Sequence, residues 1–230
     1  MNVAIIAAAG EGKRLGAGRA KQFLELAGVP VIVHTLRRFE ECATIHEVIV
    51  VLPAPDATAF VELAGKYGLR KVARVVAGGA TRSESVLRGL QLIRPATAEV
   101  VAVHDGVRPL VTTEEIARTV RAAERTGAAV LAAPVVDTIK EVQDEKIKQT
   151  LERALLYRAL TPQCFRYSLL RRAYEEAGAD IREATDDSAI VERLGVAVTI
   201  VEGDPRNIKI TRPEDIALAE ILLKSLESGV

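Results

Sequence analysis

A chain of 230 residues with 49% hydrophobic and 27% charged content is long enough for one large domain with a sizeable core, which argues against disorder. Its 31 lysines plus arginines balance 31 acids, so net charge implies no general nucleic-acid surface, and any anion site must be a local cluster. No apolar run reaches the length of a membrane span, and MNVAIIAAAG lacks the basic start of a signal peptide, which points to a soluble, cytoplasmic protein.

Apolar runs and helical spacings alternate over the first 135 residues. NVAIIAA (2–8) is a short continuous apolar run, the pattern of a strand buried on both faces. PVIVHTLRRFEEC (30–42) has helical spacing, with Pro30 suited to a first turn. HEVIVVL (46–52) is a β-branched strand ending at Pro53, and ATAFVELAGKYG (57–68) is a helix closed by Gly68. KVARVVAGG (71–79) reads as strand and turn. TRSESVLRGLQLI (81–93) opens with Thr81 and Glu84 at capping-box spacing. EVVAVHD (99–105) is a fourth strand. TTEEIARTVRAAERTG (112–127) repeats the cap with Thr112 and Glu115, and AAVLAAPV (128–135) is a fifth strand. The alternation predicts an α/β fold with a mostly parallel sheet covered by helices on both faces.

The rhythm then breaks. Residues 137–160, DTIKEVQDEKIKQTLERALLYRAL, are polar and alternating, with a charged turn at Asp144–Lys146; they predict a hairpin arm projecting from the sheet. Helices at 165–178 and 185–195, strands at 196–203 and 206–211, and a last helix from Pro213 complete the chain, Thr211 and Glu214 again having capping-box spacing. Cys42 and Cys164 sit in no metal-ligand spacing and read as buried free thiols of a reducing compartment. His34, His46 and His104 are scattered, which argues against a histidine metal site.

Chemistry concentrates at the carboxyl ends of the predicted strands, where open α/β sheets bind ligands. AAAGEGKRLGAGRAK (7–21) matches neither a Walker A loop, since Gly12-Lys13 is followed by Arg14, nor a dinucleotide fingerprint, since Leu15 stands where the third glycine belongs. Its small residues Ala8, Ala9 and Gly10 admit a flat base, its glycines can aim N–H groups at anionic oxygens, and Arg14 and Lys21 supply charge. These are the needs of a nucleoside triphosphate; a basic surface loop is the plainer alternative. In VHDGVRP (103–109), Asp105 could hold Mg²⁺, hydrogen-bond a hydroxyl or simply form a turn, with Arg108 beside it. AGGATRSES (77–85) places Gly79 and Ser85 on the same edge, as binding residues or as part of a helix cap. Lys209, between Ile208 and Ile210, either faces solvent or needs a partner.

The ordered blocks AAAGEGKRLGAGRAKQFL, VAGGATRSESVLRGL, VHDGVRP, LTPQCF, TDDSAIVERLG and NIKITRPEDIALAE resemble those of 2-C-methyl-D-erythritol 4-phosphate cytidylyltransferases over essentially the whole chain. The resemblance implies a Rossmann-like nucleotidyltransferase fold: one domain over 1–230, with the arm at about 137–160 serving dimerisation. It implies transfer of CMP from CTP to methylerythritol phosphate, with Mg²⁺ as cofactor, in the non-mevalonate isoprenoid pathway. It assigns Arg14, Lys21 and Lys209 to the triphosphate and the developing charge at the α-phosphorus. Ala8, Ala9, Gly10, Gly79 and Ser85 would hold cytosine and ribose, with Arg82 nearby; Asp105 and Arg108 would meet ribose, metal or the alcohol. Thr138 and Arg153 on the arm would complete the phosphate site of a second subunit, with Thr161 and Thr185 near the substrate. The pattern departs from the family at Arg206, where an acid is usual; Asp204 is the nearest acid. Ribitol phosphate cytidylyltransferases share the pattern and differ in the acceptor.

Overall fold

The computed structural model describes residues 1–10 and 21–228. Arg14 and the rest of 11–20 lie outside them. The predicted alternation forms: β1 (Val3–Ala7), α1 (Val31–Glu41), β4 (Glu47–Leu52), α2 (Ala57–Lys66), β5 (Val72–Ala77), α3 (Arg82–Gln91), β6 (Val100–Asp105), α4 (Thr113–Thr126) and β7 (Ala128–Pro134). Two short strands, β2 (Glu25–Leu26) and β3 (Val29–Pro30), pair just before α1. Past β7 come the hairpin β8 (Lys140–Gln143) and β9 (Lys146–Thr150), strand β10 (Tyr157–Arg166), α5 (Tyr167–Ala177), α6 (Asp187–Glu192), β11 (Thr199–Glu202) and α7 (Glu214–Ser228).

The main sheet has seven strands in the order β11-β7-β10-β6-β1-β4-β5. All neighbours are parallel except around β10, which runs antiparallel to both β6 and β7. The continuous apolar runs are explained by burial on both faces. Ala4, Ile6, Val48, Val50 and Leu52 pack on one side with Phe39 of α1, Phe60 of α2 and Ile116 of α4. Val3, Ile5, Ile49 and Val51 pack on the other with Leu90 of α3, Leu170 of α5 and Ile190 of α6. A smaller cluster seats α7, through Ala219 and Leu223, against Val31, Leu110 and Ile210.

Three local expectations change. The 157–160 stretch, expected to belong to the arm, pairs with β7 through Tyr157–Pro134, Arg158–Ala133 and Ala159–Ala132, so the hairpin proper is β8–β9. The 206–211 stretch forms no strand: Ile208 N donates to Arg206 O and Ile210 N to Val107 O, so the chain turns tightly instead of joining a ladder. The final helix is capped by Asp215, not Glu214, since Asp215 Oδ2 accepts from Thr211 N at 2.7 Å and Arg212 N at 2.8 Å. The Thr112–Glu115 capping box forms in full, and Glu115 also accepts from Asp204 N at 2.7 Å, tying the start of α4 to the 203–209 segment. Cys42 and Cys164 are buried free thiols, and burial pushes the Cys164 thiol up.

Candidate active site

Strands β6, β1, β4 and β5 lie in that order with their carboxyl ends on one edge, and two glycines let the loops there close up. Gly78 N donates to Leu52 O at 2.7 Å, and a Cβ there would lie 2.2 Å from the Ala9 Cβ. Gly106 N donates to Ala7 O at 2.9 Å, and a Cβ there would lie 2.7 Å from the Ala8 Cβ. Ala8 and Ala9 are thus sandwiched between the loops after β5 and β6, leaving Gly10 exposed at the rim. Lys21 opens a short 3₁₀ turn, and its Cε comes within 3.9 Å of the position a Gly10 Cβ would take, which puts this lysine over the rim.

The loop after β5 is built by the start of α3. Thr81 Oγ1 caps Glu84 N at 3.1 Å, while Glu84 reaches Ala80 N at 2.7 Å, one residue before the expected box. Ser85 is buried; its hydroxyl donates to Thr81 O and accepts from Gly79 N at 3.1 Å. Gly79 and Ser85 therefore shape one tight turn.

Asp105, the last residue of β6, is the centre of charge. Its Oδ1 accepts from Arg82 Nε at 3.0 Å; its Oδ2 meets Lys209 Nζ at 2.9 Å and Arg108 Nε at 3.3 Å. Burial favours the neutral acid, but Arg82, Lys209 and Arg108 outweigh it and hold the carboxyl well below the usual carboxylate range. Lys209 thus has the partner its position between two isoleucines required. It is the most accessible of the three cations, at 37% side-chain exposure against 26% for Arg82 and 12% for Arg108. Arg108 also donates to Asn207 O at 2.9 Å, and Asn207 Nδ2 to Thr161 O at 2.9 Å, so the irregular 206–211 path is what delivers Lys209. Arg206 pairs with Asp204 at 2.8 Å, and this acid is folded against Arg206, away from any pairing with Lys209.

Thr161 lies behind the cluster, not at its mouth. It is buried, and its hydroxyl accepts from Asp105 N at 3.2 Å while facing His104 Nδ1 at 2.9 Å. His104 Nε2 faces the Arg108 carbonyl at 3.1 Å, and a carbonyl cannot donate. Nε2 therefore carries the proton, Nδ1 accepts from Thr161, and a chain of hydrogen bonds runs from Asp105 N through Thr161 and His104 to Arg108 O. Burial pushes His104 down to about 4, so the neutral ring this chain requires is the one present at neutral pH.

Thr185 is exposed just before α6. Thr138 and Arg153 lie on the exposed arm, where Arg153 Nη1 donates to Val136 O at 2.7 Å. Among the described residues neither arm residue is hydrogen-bonded or ion-paired to the Asp105 cluster. Sequence reasoning gave no role to His104, Gln163, Tyr174, Asp187 or Asn207. The first, second, fourth and fifth stand inside the quoted blocks, but nothing in their spacing shows that the fold brings them to Asp105.

The profile of the 2-C-methyl-D-erythritol 4-phosphate cytidylyltransferase family matches residues 2–225. The chain belongs to this family. A Bacillus velezensis protein of that name is 45% identical over 228 residues, spanning 99% of this chain and 97% of its own. One from Geobacter metallireducens is 45% identical over 224 residues, 96% of this chain and 97% of its own. The crystal structure of 4-diphosphocytidyl-2C-methyl-D-erythritol synthase from Anaerococcus prevotii superposes with a TM-score of 0.86 at 32% identity, covering 97% of this chain and 96% of that one. The cytidylyltransferase of Thermus thermophilus gives 0.78 at 35% identity, covering 96% and 98%. The family thus accounts for the fold, the seven-stranded sheet included.

Proposed function

We propose that this protein transfers CMP from CTP to 2-C-methyl-D-erythritol 4-phosphate, releasing pyrophosphate, as a single nucleotidyltransferase domain acting in the cytoplasm. The observation that carries the reading is the Asp105 cluster, three cations on one carboxylate at the carboxyl edge of β6, next to the Ala8–Gly10 segment that follows β1. The family membership supports the same chemistry.

In the reaction an acceptor phosphate oxygen forms a bond to the α-phosphorus of CTP as the bond to the bridging oxygen breaks, and that oxygen leaves on pyrophosphate. The acceptor phosphate is largely dianionic at neutral pH, its second pKa being about 6, so no general base is needed. The obstacle is bringing one polyanion onto another, and fixed cations that meet charge in the transition state are the remedy. We assign this work to Lys21, Lys209 and Arg14, the last outside the described residues. We assign Arg108 to the acceptor, with Thr185 beside it.

Mg²⁺ fits the residues present. Among the described residues, Asp105 Oδ1 accepts a single hydrogen bond, from Arg82, and a carboxylate oxygen has capacity for a second interaction. Among the described residues no group of three or more acidic, histidine or cysteine side chains forms a cage, and Mg²⁺ with a triphosphate needs only one or two carboxylates. Asp105 would hold the ion, which when bound neutralises phosphate charge.

The arm supports a homodimer. Val136, Val142, Ile147 and Leu155 are 59–75% exposed in the single chain, an apolar surface a second copy would cover. Thr138 and Arg153 would then meet the acceptor phosphate in the partner's site. Pyrophosphate release with CTP, Mg²⁺ and methylerythritol phosphate tests the reading, with ribitol phosphate, no-acceptor and no-metal arms. Release that requires methylerythritol phosphate is expected; none with that acceptor would overturn it.

A further inference from the structure

Behind Asp105 stands a second carboxylate that the proposed reaction does not use. Asp187, the first residue of α6, is fully buried. Its Oδ2 accepts from Arg82 Nη1 at 2.7 Å, and its Oδ1 from the Tyr174 hydroxyl of α5 at 2.7 Å. Its backbone is fixed too: Asp187 N and Ser188 N both donate to Gln163 Oε1 at 3.0 Å, which anchors the start of α6 to β10, next to β6. Arg82 is therefore stretched between two carboxylates, Asp105 on Nε and Asp187 on Nη1.

A buried carboxylate is costly and is tolerated only when paired and hydrogen-bonded. Here the pairing does more than neutralise it. An arginine held at one nitrogen keeps much of its rotamer freedom, whereas two carboxylates on adjacent edges of the planar fork fix the plane itself. The remaining nitrogen, Arg82 Nη2, donates to nothing among the described residues, although the side chain is 26% exposed. Asp187 also takes up part of the charge of Arg82, which leaves Asp105 less fully neutralised than three undivided cations would leave it.

We propose that Asp187, steadied by Tyr174, is a positioning residue that fixes the Arg82 guanidinium plane, so that Nη2 is held ready to donate to an oxygen of the bound nucleotide. The inference rests on the nucleotide site described above. Without Asp187, Arg82 can turn one edge of the fork, Nε together with Nη2, onto Asp105, and the open donor is lost.

The test is a pair of double-mutant cycles on the full chain, Asp187→Asn with Arg82→Lys and Tyr174→Phe with Arg82→Lys, since lysine offers a single nitrogen and cannot span both carboxylates. Two quantities are read: CTP dissociation constants by calorimetry without acceptor, and kcat and KM for pyrophosphate release. Asp187→Asn is expected to weaken CTP binding and lower kcat, each roughly tenfold, with KM for the acceptor unchanged; Tyr174→Phe gives a smaller change of the same kind. In the Arg82→Lys background either substitution should have less than about a threefold further effect, because both act through Arg82. Losses that multiply fully in the double variants would mean that Asp187 and Tyr174 only support the fold, and would overturn the proposal. If Asp187→Asn does not fold, the Tyr174→Phe cycle, which changes no charge, decides by the same criterion. If the wild type binds CTP but releases no pyrophosphate, the reaction assigned above fails, while the binding cycle still decides this inference.

Discussion

His104 makes the acid stability of this protein calculable. Burial lowers its folded pKa to about 4 from an ordinary 6.5, and both ring nitrogens are engaged, Nδ1 with Thr161 and Nε2 with the Arg108 carbonyl. Between those values the unfolded chain holds a proton on this ring and the folded one does not. Stability tied to His104 is thus fully present above 6.5 and is lost as pH falls towards 4. The full window is worth about 3 kcal/mol, and the part between pH 7 and pH 4.5 about 2 kcal/mol. Asp105, held below its ordinary 3.8, loses its own contribution only in more acidic solution, so a measurement at pH 4.5 separates the two. Urea unfolding of wild type and His104→Gln at pH 7 and pH 4.5 isolates the term. The substitution will cost something at both pH values, since the ring packs on Phe39 with centroids 4.9 Å apart. The fall in stability from pH 7 to 4.5 should nevertheless be about 2 kcal/mol larger in wild type, carboxylate effects being common to both. Parallel profiles, or an imidazole resonance of His104 titrating near 6.5, would refute the reasoning.

Further outcomes follow from the site. Lys21→Ala and Lys209→Ala should each lower turnover on the order of 10²–10³-fold with the far-ultraviolet spectrum intact, by analogy with loss of one preorganised donor to developing charge; near-wild-type turnover in either would remove that residue from the assignment. Arg153→Ala should raise KM for the acceptor phosphate more than KM for CTP, and equal changes would place the arm elsewhere. Gly78→Ala, whose new methyl would sit 2.2 Å from the Ala9 Cβ and 2.8 Å from Ser85 Oγ, should destabilise by about 1–3 kcal/mol in urea unfolding and weaken CTP binding. A neutral effect would mean that the loops after β1 and β5 separate easily.

Much of this protein is written locally. Strands buried on both faces must be apolar at every position, so β1, β4, β6 and β7 stand out as short unbroken runs, and the helices between them announce their starts through Thr81 and Thr112. That Gly79 and Asp105 fall at the carboxyl ends of β5 and β6 was legible, because a strand's carboxyl end is fixed once the strand is. β10 was not: its first three residues are exposed and read as arm, and only its place between β6 and β7 makes the rest core. The charge partnerships were equally hidden. Arg82 meets Asp187 across 105 positions, and His104 meets Thr161 across 57. Local periodicity reports which side of an element is buried, because each turn or pleat repeats the same solvent contrast. Which distant side chains share that burial depends on strand order, and strand order is settled by the packing of the whole chain.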